Sequence, residues 1–372
     1  MKLNSIKKKA GKIDFQIFCT IILIVCIGIV MVYSSSAYYS LHVKDESTEF
    51  FLKKELIWTI VGIIVMIFTM SVDYHLYKKM TLLATIGTIG CLVAVLFSNP
   101  INGATRWIFI GGFSFQPSEL AKYVVVMFMA MSIDNRKKKM DGFLSGTILY
   151  LFIAAAFSVL ILLENNLSIA SIIMIVTFIM ILVGGANIKH LVCLIPPVAI
   201  LGMVLIFSAD YRKLRFLGFL DPWADSSGRS FQLIQSFYAL GSGGITGVGL
   251  GQSTQKALYM PEPYNDFIFA IIGEELGLIG CILVMGLFLF LILRGISVAI
   301  RAKDNYGFML ATGIISIIAV QAMINIAVVT GSMPVTGVPL PFISYGGTSM
   351  VFNLAAMGVL LNISRQAKEI KI

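Results

Sequence analysis

The sequence predicts an all-α polytopic membrane protein, and three observations lead to that prediction. The mean hydropathy is +0.91, and 58% of the 372 residues are hydrophobic while only 13% are charged. Apolar runs of about 20 residues, the length that an α-helix needs to cross a bilayer, recur along the chain. Lysine and arginine concentrate between alternate runs. Together these features exclude a soluble globular protein.

Ten apolar runs separated by polar breaks predict about ten transmembrane helices. The first run follows several lysines, but Tyr33 to Ala37 form a poor cleavage site, so we expect a retained helix rather than a signal peptide. We expect residues 1–372 to form a single integral membrane domain. The predicted spans are 15–33, 55–70, 80–98, 118–132, 143–163, 167–184, 190–208, 267–293, 307–330 and 348–363.

The distribution of basic residues predicts the orientation. With the N-terminus inside, the inner segments carry about twice as many lysines and arginines as the outer ones, as the positive-inside rule requires. An even number of spans puts both termini in the cytoplasm. The outer face then holds the long loops rich in glycine and proline, 99–117, 209–266 and 331–347. The loop 209–266, between helices seven and eight, is the largest, so we expect function on the outer face.

Cysteine usage and net charge add little to the functional prediction. All five cysteines lie in apolar runs and none has a metal-ligand spacing, so we predict neither disulfides nor a structural metal site. The net charge of +9 is explained by membrane orientation, and we predict no nucleic-acid partner.

Two polar pairs near the outer face are candidate functional residues. Glu119 and Lys122, in the motif QPSELAK, are three residues apart and share one helix face. They form either a self-neutralising structural pair or the floor of a polar cavity. Arg106 and Trp107, in NGATRWI, lie at the outer interface. The tryptophan is either an interfacial anchor or part of a site in which the arginine binds phosphate.

Asp266 is the strongest candidate for chemistry. It follows the helix-breaking sequence PEP at 261–263 and precedes the apolar sequence FIFAII, so it lies at the start of a membrane helix. One interpretation is an N-cap, which aspartate favours. The other is a general base whose pKa is raised beside an apolar wall.

A glycine-rich segment precedes Asp266. The segment 241–251 reads GSGGITGVGLG, but no strand precedes it and it lies outside the cell, so a nucleotide-binding loop is a poor interpretation. Close backbone approach to a bulky ligand and re-entrant packing both fit it better. Glu274 and Glu275, two turns after Asp266, either face a cavity or pair with a basic residue.

Five ordered motifs resemble the SEDS family of bacterial cell-wall proteins, which includes FtsW, RodA and SpoVE. The resemblance covers nearly the whole chain and is greatest to the FtsW/SpoVE branch. The motifs are NGATRWI (102–108), QPSELAK (116–122), DPW (221–223), GVGLGQSTQKALYMPEPYNDFIFAIIGEELG (247–277) and PVTGVPLPFISYGGTS (334–349).

The resemblance implies a peptidoglycan glycosyltransferase of the cytoplasmic membrane. Such enzymes polymerise lipid II, a disaccharide-pentapeptide on undecaprenyl diphosphate, at the outer membrane face. Asp266 matches the family's essential aspartate and is expected to be the catalytic base. The predicted substrate-binding residues are Arg106, Trp107, Glu119, Lys122, Lys256 and Glu262, among which Arg106, Lys122 and Lys256 are candidate cations for the leaving diphosphate.

The resemblance also bears on partners and cofactors. It implies a class B penicillin-binding protein as the transpeptidase partner. No cofactor is demanded, although a divalent cation near the diphosphate stays open. The chain departs from the family at Asn165 and Asn166, because many relatives carry the sequence PDLG there. A charge-dependent role at Asn166 is therefore in doubt, and Glu164 is a candidate to supply the charge.

Two other functions remain open from the sequence. A lipid II flippase or transporter would place polar groups near the bilayer midplane, accessible from both faces. A non-catalytic scaffold that recruits a transpeptidase would not need the carboxylate of Asp266. The sequence does not separate roles in division, sporulation and elongation.

Overall fold

The computed structural model describes residues 11–100, 105–110, 113–225, 228, 230–257 and 259–367. Within these ranges the chain forms twelve α-helices and one short antiparallel hairpin. The elements are α1 Phe15–Val43, α2 Phe50–Ser71, α3 Tyr74–Val95, β1 Ile108–Ile110, β2 Phe113–Phe115, α4 Pro117–Arg136, α5 Leu149–Leu163, α6 Leu167–Val183, α7 Ile188–Phe207, α8 Asp210–Leu220, α9 Phe231–Gly243, α10 Ile268–Ile300, α11 Asn305–Val329 and α12 Gly347–Gln366. A π-helical segment, Phe143–Ile148, leads directly into α5.

The helical architecture confirms the predicted fold class. In the described part of the chain, seven helical segments are long and apolar enough to cross a membrane, namely α1, α3, Phe143–Leu163, α7, α10, α11 and α12. Helices α2, α4 and α6 coincide with the other three predicted spans and are not among these seven. The count of ten spans stays a prediction. So does the cytoplasmic placement of the termini, because residues 1–10 and 368–372 lie outside the described residues.

Small residues allow the helices to pack closely. A β-carbon at Gly313 of α11 would lie 2.3 Å from a methyl group of Val126 in α4. One at Gly358 of α12 would lie 2.3 Å from the carbonyl oxygen of Met66 in α2. Without these β-carbons the backbones approach at the distance that van der Waals packing in a membrane favours. In the resulting bundle, α2, α4, α6, α11 and α12 pack against one another.

The large outer loop is partly helical. The segment predicted as loop 209–266 contains α8, α9 and a short 3₁₀ turn, Pro222–Asp225. Below, "outer end" means the end of the bundle that carries this segment. The glycine-rich sequence begins within α9 and continues as an irregular segment that packs against α10.

Helix α10 is interrupted where that segment meets it. Gly277 has φ 67° and ψ −165°, which breaks the helical path. The backbone N–H of Val248 donates to the carbonyl of Glu274 at 2.9 Å, and the N–H of Leu278 donates to the carbonyl of Gly244 at 2.9 Å. The loop thus supplies partners for backbone groups that the break leaves unpaired. The sequence predicts one continuous span over 267–293, so the break is a difference from that prediction.

Candidate active site

A polar cavity of about 460 Å³ lies at the outer end of the bundle. Its walls come from the segments before β1 and α10, from the outer ends of α2, α4, α6 and α11, and from the loop before α12. Five of the seven predicted site residues line it, and they are Arg106, Trp107, Glu119, Glu262 and Asp266. Lys122 and Lys256 do not belong to its lining.

The carboxylate of Asp266 faces this cavity and does not cap α10. The N-cap position is Phe267, and it makes no side-chain cap hydrogen bond. The backbone carbonyl of Asp266 accepts a hydrogen bond from Nδ2 of Asn325 at 2.7 Å. Gly337 lies next to the carboxylate of Asp266. The structure therefore favours a chemical role for this side chain over the capping interpretation.

The surroundings of Asp266 disfavour its charged form. Loss of water around the carboxyl group raises the pKa of Asp266 to about 6, and the nearby charge of Glu262 adds to this. The positive charges of Arg215 and Arg106 oppose the rise. At neutral pH the group is mostly ionised, while its pKa is close enough to the working pH for proton transfer.

Arg106 is held at the cavity wall by backbone carbonyls. Its Nε donates to the carbonyl of Glu164 at 3.3 Å, and its second guanidinium nitrogen donates to the carbonyl of Asn165. The Glu164 side chain is buried, and desolvation raises its pKa to about 8. At that pKa, Glu164 is mostly neutral at pH 7. Trp107 follows Arg106 and is half-buried in the same wall.

Asn166, where many relatives have an acidic residue, has two roles in this chain. Its Oδ1 accepts a hydrogen bond from the N–H of Ile169 at 3.2 Å and so caps α6. It also lines the cavity. A neutral amide therefore occupies this wall without loss of the helix cap.

Glu119 and Lys122 form the buried pair that their spacing predicts. Their side chains are 4% and 0% exposed, and Nζ of Lys122 lies 2.9 Å from Oε2 of Glu119. Glu119 lines the cavity, whereas Lys122 lies behind it. The two interpretations of this pair are thus compatible: the carboxylate forms part of the floor and the ammonium group neutralises it.

Lys256 lies in a different environment. Its Nζ is 2.7 Å from Oε1 of Glu275 and 3.1 Å from Oγ of Ser34. Neighbouring Glu274 accepts hydrogen bonds from the backbone and hydroxyl groups of Thr254. A second, mainly apolar pocket of about 400 Å³ borders Lys256 between the loop and α1. The geometry joins Lys256 to the broken part of α10 rather than to the cavity.

Several cavity residues are absent from the sequence prediction. Trp58 and Gln321 line the cavity, and Arg215 of α8 contributes to its electrostatics. Gln321 and Asn325 are polar residues four positions apart in an apolar helix, a spacing that puts them on one face. That signal was available from the sequence. The contribution of Arg215 depends on how α8 folds back and has no local signature.

Among the described residues, no group of three or more histidine, cysteine, aspartate or glutamate side chains is placed to hold a metal ion. The sequence leaves open whether a divalent cation binds near the diphosphate. The described part of the chain offers no cluster of ligands for such a cation. The five cysteines are free thiols.

Comparison with known proteins identifies the family. Residues 15–369 match the FtsW/RodA/SpoVE family model, described as "Cell cycle protein". The chain is 43% identical over 359 residues to "Stage V sporulation protein E" of Bacillus subtilis (strain 168), covering 95% of this chain and 98% of that protein. It is 39% identical over 359 residues to "Probable peptidoglycan glycosyltransferase FtsW" of Geobacter sp. (strain M18), covering 95% and 97%.

Solved structures show the same fold. One, described as "Structural coordination of polymerization and crosslinking by a peptidoglycan synthase complex", matches with a TM-score of 0.78 and 24% identity over 95% of this chain and 98% of that one. The rod shape determining protein RodA of Thermus thermophilus matches with a TM-score of 0.66 and 21% identity over 96% and 98%. The protein is thus a multi-pass protein of the cytoplasmic membrane, and the chain belongs to the FtsW/RodA/SpoVE family.

Proposed function

We propose that this protein is a peptidoglycan glycosyltransferase that polymerises lipid II into glycan strands at the outer face of the membrane. The observation that carries the proposal is the position of Asp266. Its carboxylate lies in a polar cavity at the outer end, with its pKa raised to about 6 and two arginines in its electrostatic surroundings. Membership of a family with members named as peptidoglycan glycosyltransferases supports the same reaction.

In the proposed reaction Asp266 acts as the general base. It accepts the proton of the acceptor sugar's 4-hydroxyl group while that oxygen attacks the anomeric carbon of the donor. The bond between this carbon and the phosphate oxygen breaks, and the lipid diphosphate leaves with the electron pair. The configuration at the anomeric carbon inverts, and the glycan strand grows by one disaccharide. The proton is then released from Asp266 to water.

The remaining cavity residues are assigned to binding. Arg106 is the cation best placed to stabilise the leaving diphosphate, because its planar group lies in the cavity wall. Trp107 offers an aromatic surface to a sugar ring, and Glu119 and Glu262 offer hydrogen-bond acceptors. Lys122 is proposed to act through Glu119. Lys256 was predicted to bind substrate, but its ion pair with Glu275 gives it a structural role in this proposal.

We further propose that cross-linking of the product depends on a class B penicillin-binding protein. The similarity in fold to a component of a peptidoglycan synthase complex that couples polymerisation and cross-linking supports this partner.

The test is polymerisation of labelled lipid II by the purified protein, with and without the transpeptidase partner. We expect Asp266→Asn to abolish polymer formation at unchanged abundance and melting temperature. Asp45→Asn is the matched control, because Asp45 is an exposed carboxylate of another loop whose positive φ asparagine also tolerates. Full polymerisation by Asp266→Asn would overturn the catalytic assignment. Lipid II translocation in liposomes by the inactive protein would instead support the flippase, and unaltered cell-wall synthesis by it would support the scaffold.

A further inference from the structure

Asn325 connects the segment that carries Asp266 to the neighbouring loop before α12, which lines the same cavity. Its Nδ2 donates one hydrogen bond to the carbonyl of Asp266 at 2.7 Å and another to the carbonyl of Val338 at 2.8 Å. The side chain is 1% exposed and belongs to the outer end of α11. One rigid amide group therefore sets the separation between two irregular segments.

This separation determines what lies against the carboxylate of Asp266. Gly337, next to Val338, packs so closely that a β-carbon there would be 3.1 Å from Oδ2 of Asp266. Gly337, Val338 and Pro339 line the cavity together with Asp266. The loop thus covers one side of the carboxylate while the other side faces the cavity.

We propose that Asn325 is a positioning residue that holds Asp266 and the Gly337 loop in register, so that one side of the catalytic carboxylate stays dry. The inference rests on the proposed function of Asp266. It adds a residue that touches neither the substrate nor the reacting atoms and acts through the backbone of its neighbours.

The charges around Asp266 show how this positioning acts. The charged groups whose fields reach Asp266 are Arg215 from α8, Arg106 from the segment before β1, and Glu262 from its own segment. Helix α11 and the loop from 331 to 346 carry no acidic or basic side chain, and their titratable groups are the tyrosines Tyr306 and Tyr345. These elements therefore influence the carboxylate by excluding water from it.

The proposed test replaces Asn325 with leucine, whose side chain has the same number of heavy atoms and the same branching but no hydrogen-bond donor. Asn362 provides a matched control at the other end of the bundle. It is 3% exposed, its Nδ2 donates to the carbonyl of Met70 at 2.8 Å, and its Oδ1 accepts from the N–H of Tyr74 at 3.0 Å. Asn362→Leu thus removes an equivalent buried amide far from the cavity. Asn325→Thr, which keeps one donor, is a milder variant if Asn325→Leu does not fold.

Two readouts separate positioning from mere stability. The first is lipid II polymerisation, for which we expect Asn325→Leu to lower kcat by roughly 10- to 100-fold, as displacement of a catalytic group does, with little change in KM. The second is labelling of Asp266 by dicyclohexylcarbodiimide, which reacts with protonated carboxyl groups, followed by mass spectrometry across a pH series. Water entering beside Asp266 should lower the labelling midpoint by about one pH unit, with an intermediate shift in Asn325→Thr.

The results for Asn325→Leu and Asn362→Leu decide whether Asn325 is a positioning residue. A wild-type kcat and labelling midpoint in Asn325→Leu would overturn the inference, as would equal changes in Asn325→Leu and Asn362→Leu. A lowered midpoint in Asn325→Leu alone would support it. The labelling needs no substrate, so it tests the positioning role independently of polymerisation. The proposed function would be overturned by different results, namely a wild-type protein that forms no polymer or an Asp266→Asn variant that stays active.

Discussion

Gly337 lies beside the carboxylate of Asp266, with little room for a side chain between them. A β-carbon at position 337 would lie 3.1 Å from Oδ2 of Asp266, and Gly337 has φ +71°. Both the contact and the backbone conformation therefore favour glycine at this position.

Replacement of Gly337 by alanine should impair catalysis more than stability. The positive φ costs about 1–2 kcal/mol for a residue with a side chain, and the new methyl group displaces the carboxylate, for which we expect a loss of roughly tenfold or more in polymerisation rate. Gly185→Ala is the control, because Gly185 also has a positive φ, +96°, but open space around it. It should lose similar stability and no activity. Equal rates in the two variants would contradict the prediction.

The polymerisation rate should fall at acidic pH, and the pKa of Asp266 should set the midpoint of this acidic limb of the pH profile. Because the pKa of Asp266 is raised to about 6, the base stays protonated, and therefore inactive, up to that pH. We expect kcat/KM to fall about tenfold per pH unit below about pH 6 and to level off above it. Initial rates of lipid II polymerisation across this range measure the limb. A limb near the ordinary aspartate value of 3.8 would show that the carboxyl group is solvated.

Removal of the charge of Arg215 should move this limb to higher pH. The guanidinium group lowers the pKa of Asp266, so Arg215→Gln leaves the proton more tightly bound. Lys213→Gln removes an exposed charge from the same helix and is the control. Since Arg215 is exposed, high salt should screen its charge and reduce the difference between Arg215→Gln and the wild type. If the acidic limb of Arg215→Gln lay at the same pH as that of the wild type at low salt, this assignment would be wrong.

Lys256 should prove to be a stabilising residue. Lys256→Met leaves the buried carboxylate of Glu275 without its cation, and breaking such a pair costs about 3–5 kcal/mol. The double variant Lys256→Met/Glu275→Gln should recover much of that loss, as read from thermal unfolding in detergent. If Lys256→Met instead kept the wild-type melting temperature and raised KM for lipid II, the substrate-binding prediction for Lys256 would be supported.

The pair formed by Glu119 and Lys122 should behave as a coupled unit. Lys122→Met leaves an unpaired carboxylate on the cavity floor, and Glu119→Gln leaves an unpaired buried ammonium group. Each single variant should therefore unfold more easily than the double variant Glu119→Gln/Lys122→Met. Additive losses of stability in the double-variant cycle would show that the two charges are separately solvated.

Hydropathy was sufficient to predict the helical bundle, because length and apolarity alone decide whether a segment can span a membrane. It could not predict the break at Gly277. That residue lies inside a predicted span without proline, and its conformation depends on a loop segment, 244–249, that supplies the missing hydrogen bonds. Helices α8 and α9 were missed for a related reason, since they lie in a polar segment that gives no membrane signal.

Site residues could be predicted where their neighbours in the sequence mark them. Asp266 and Arg106 stand next to apolar or aromatic sequence in motifs that resemble the family, and both line the cavity. Lys256 looked equivalent to Arg106, but its partner Glu275 comes from a helix 19 residues further along. Asn325 acts through the backbone of distant residues. Pairings of this kind follow from the tertiary structure rather than from spacing in the sequence.

The break in α10 divides that helix into two mechanical parts. The outer part, before Gly277, follows Asp266 and is fixed by hydrogen bonds to the segment 244–249. The inner part begins at Leu278, and the N–H groups of Leu278 and Ile279 donate to the carbonyls of Gly244 and Ile245 in the same segment. One segment of the loop therefore holds both parts of the helix across the break. The direction in which α10 leaves Asp266 is thus set by this loop segment as well as by the helix itself.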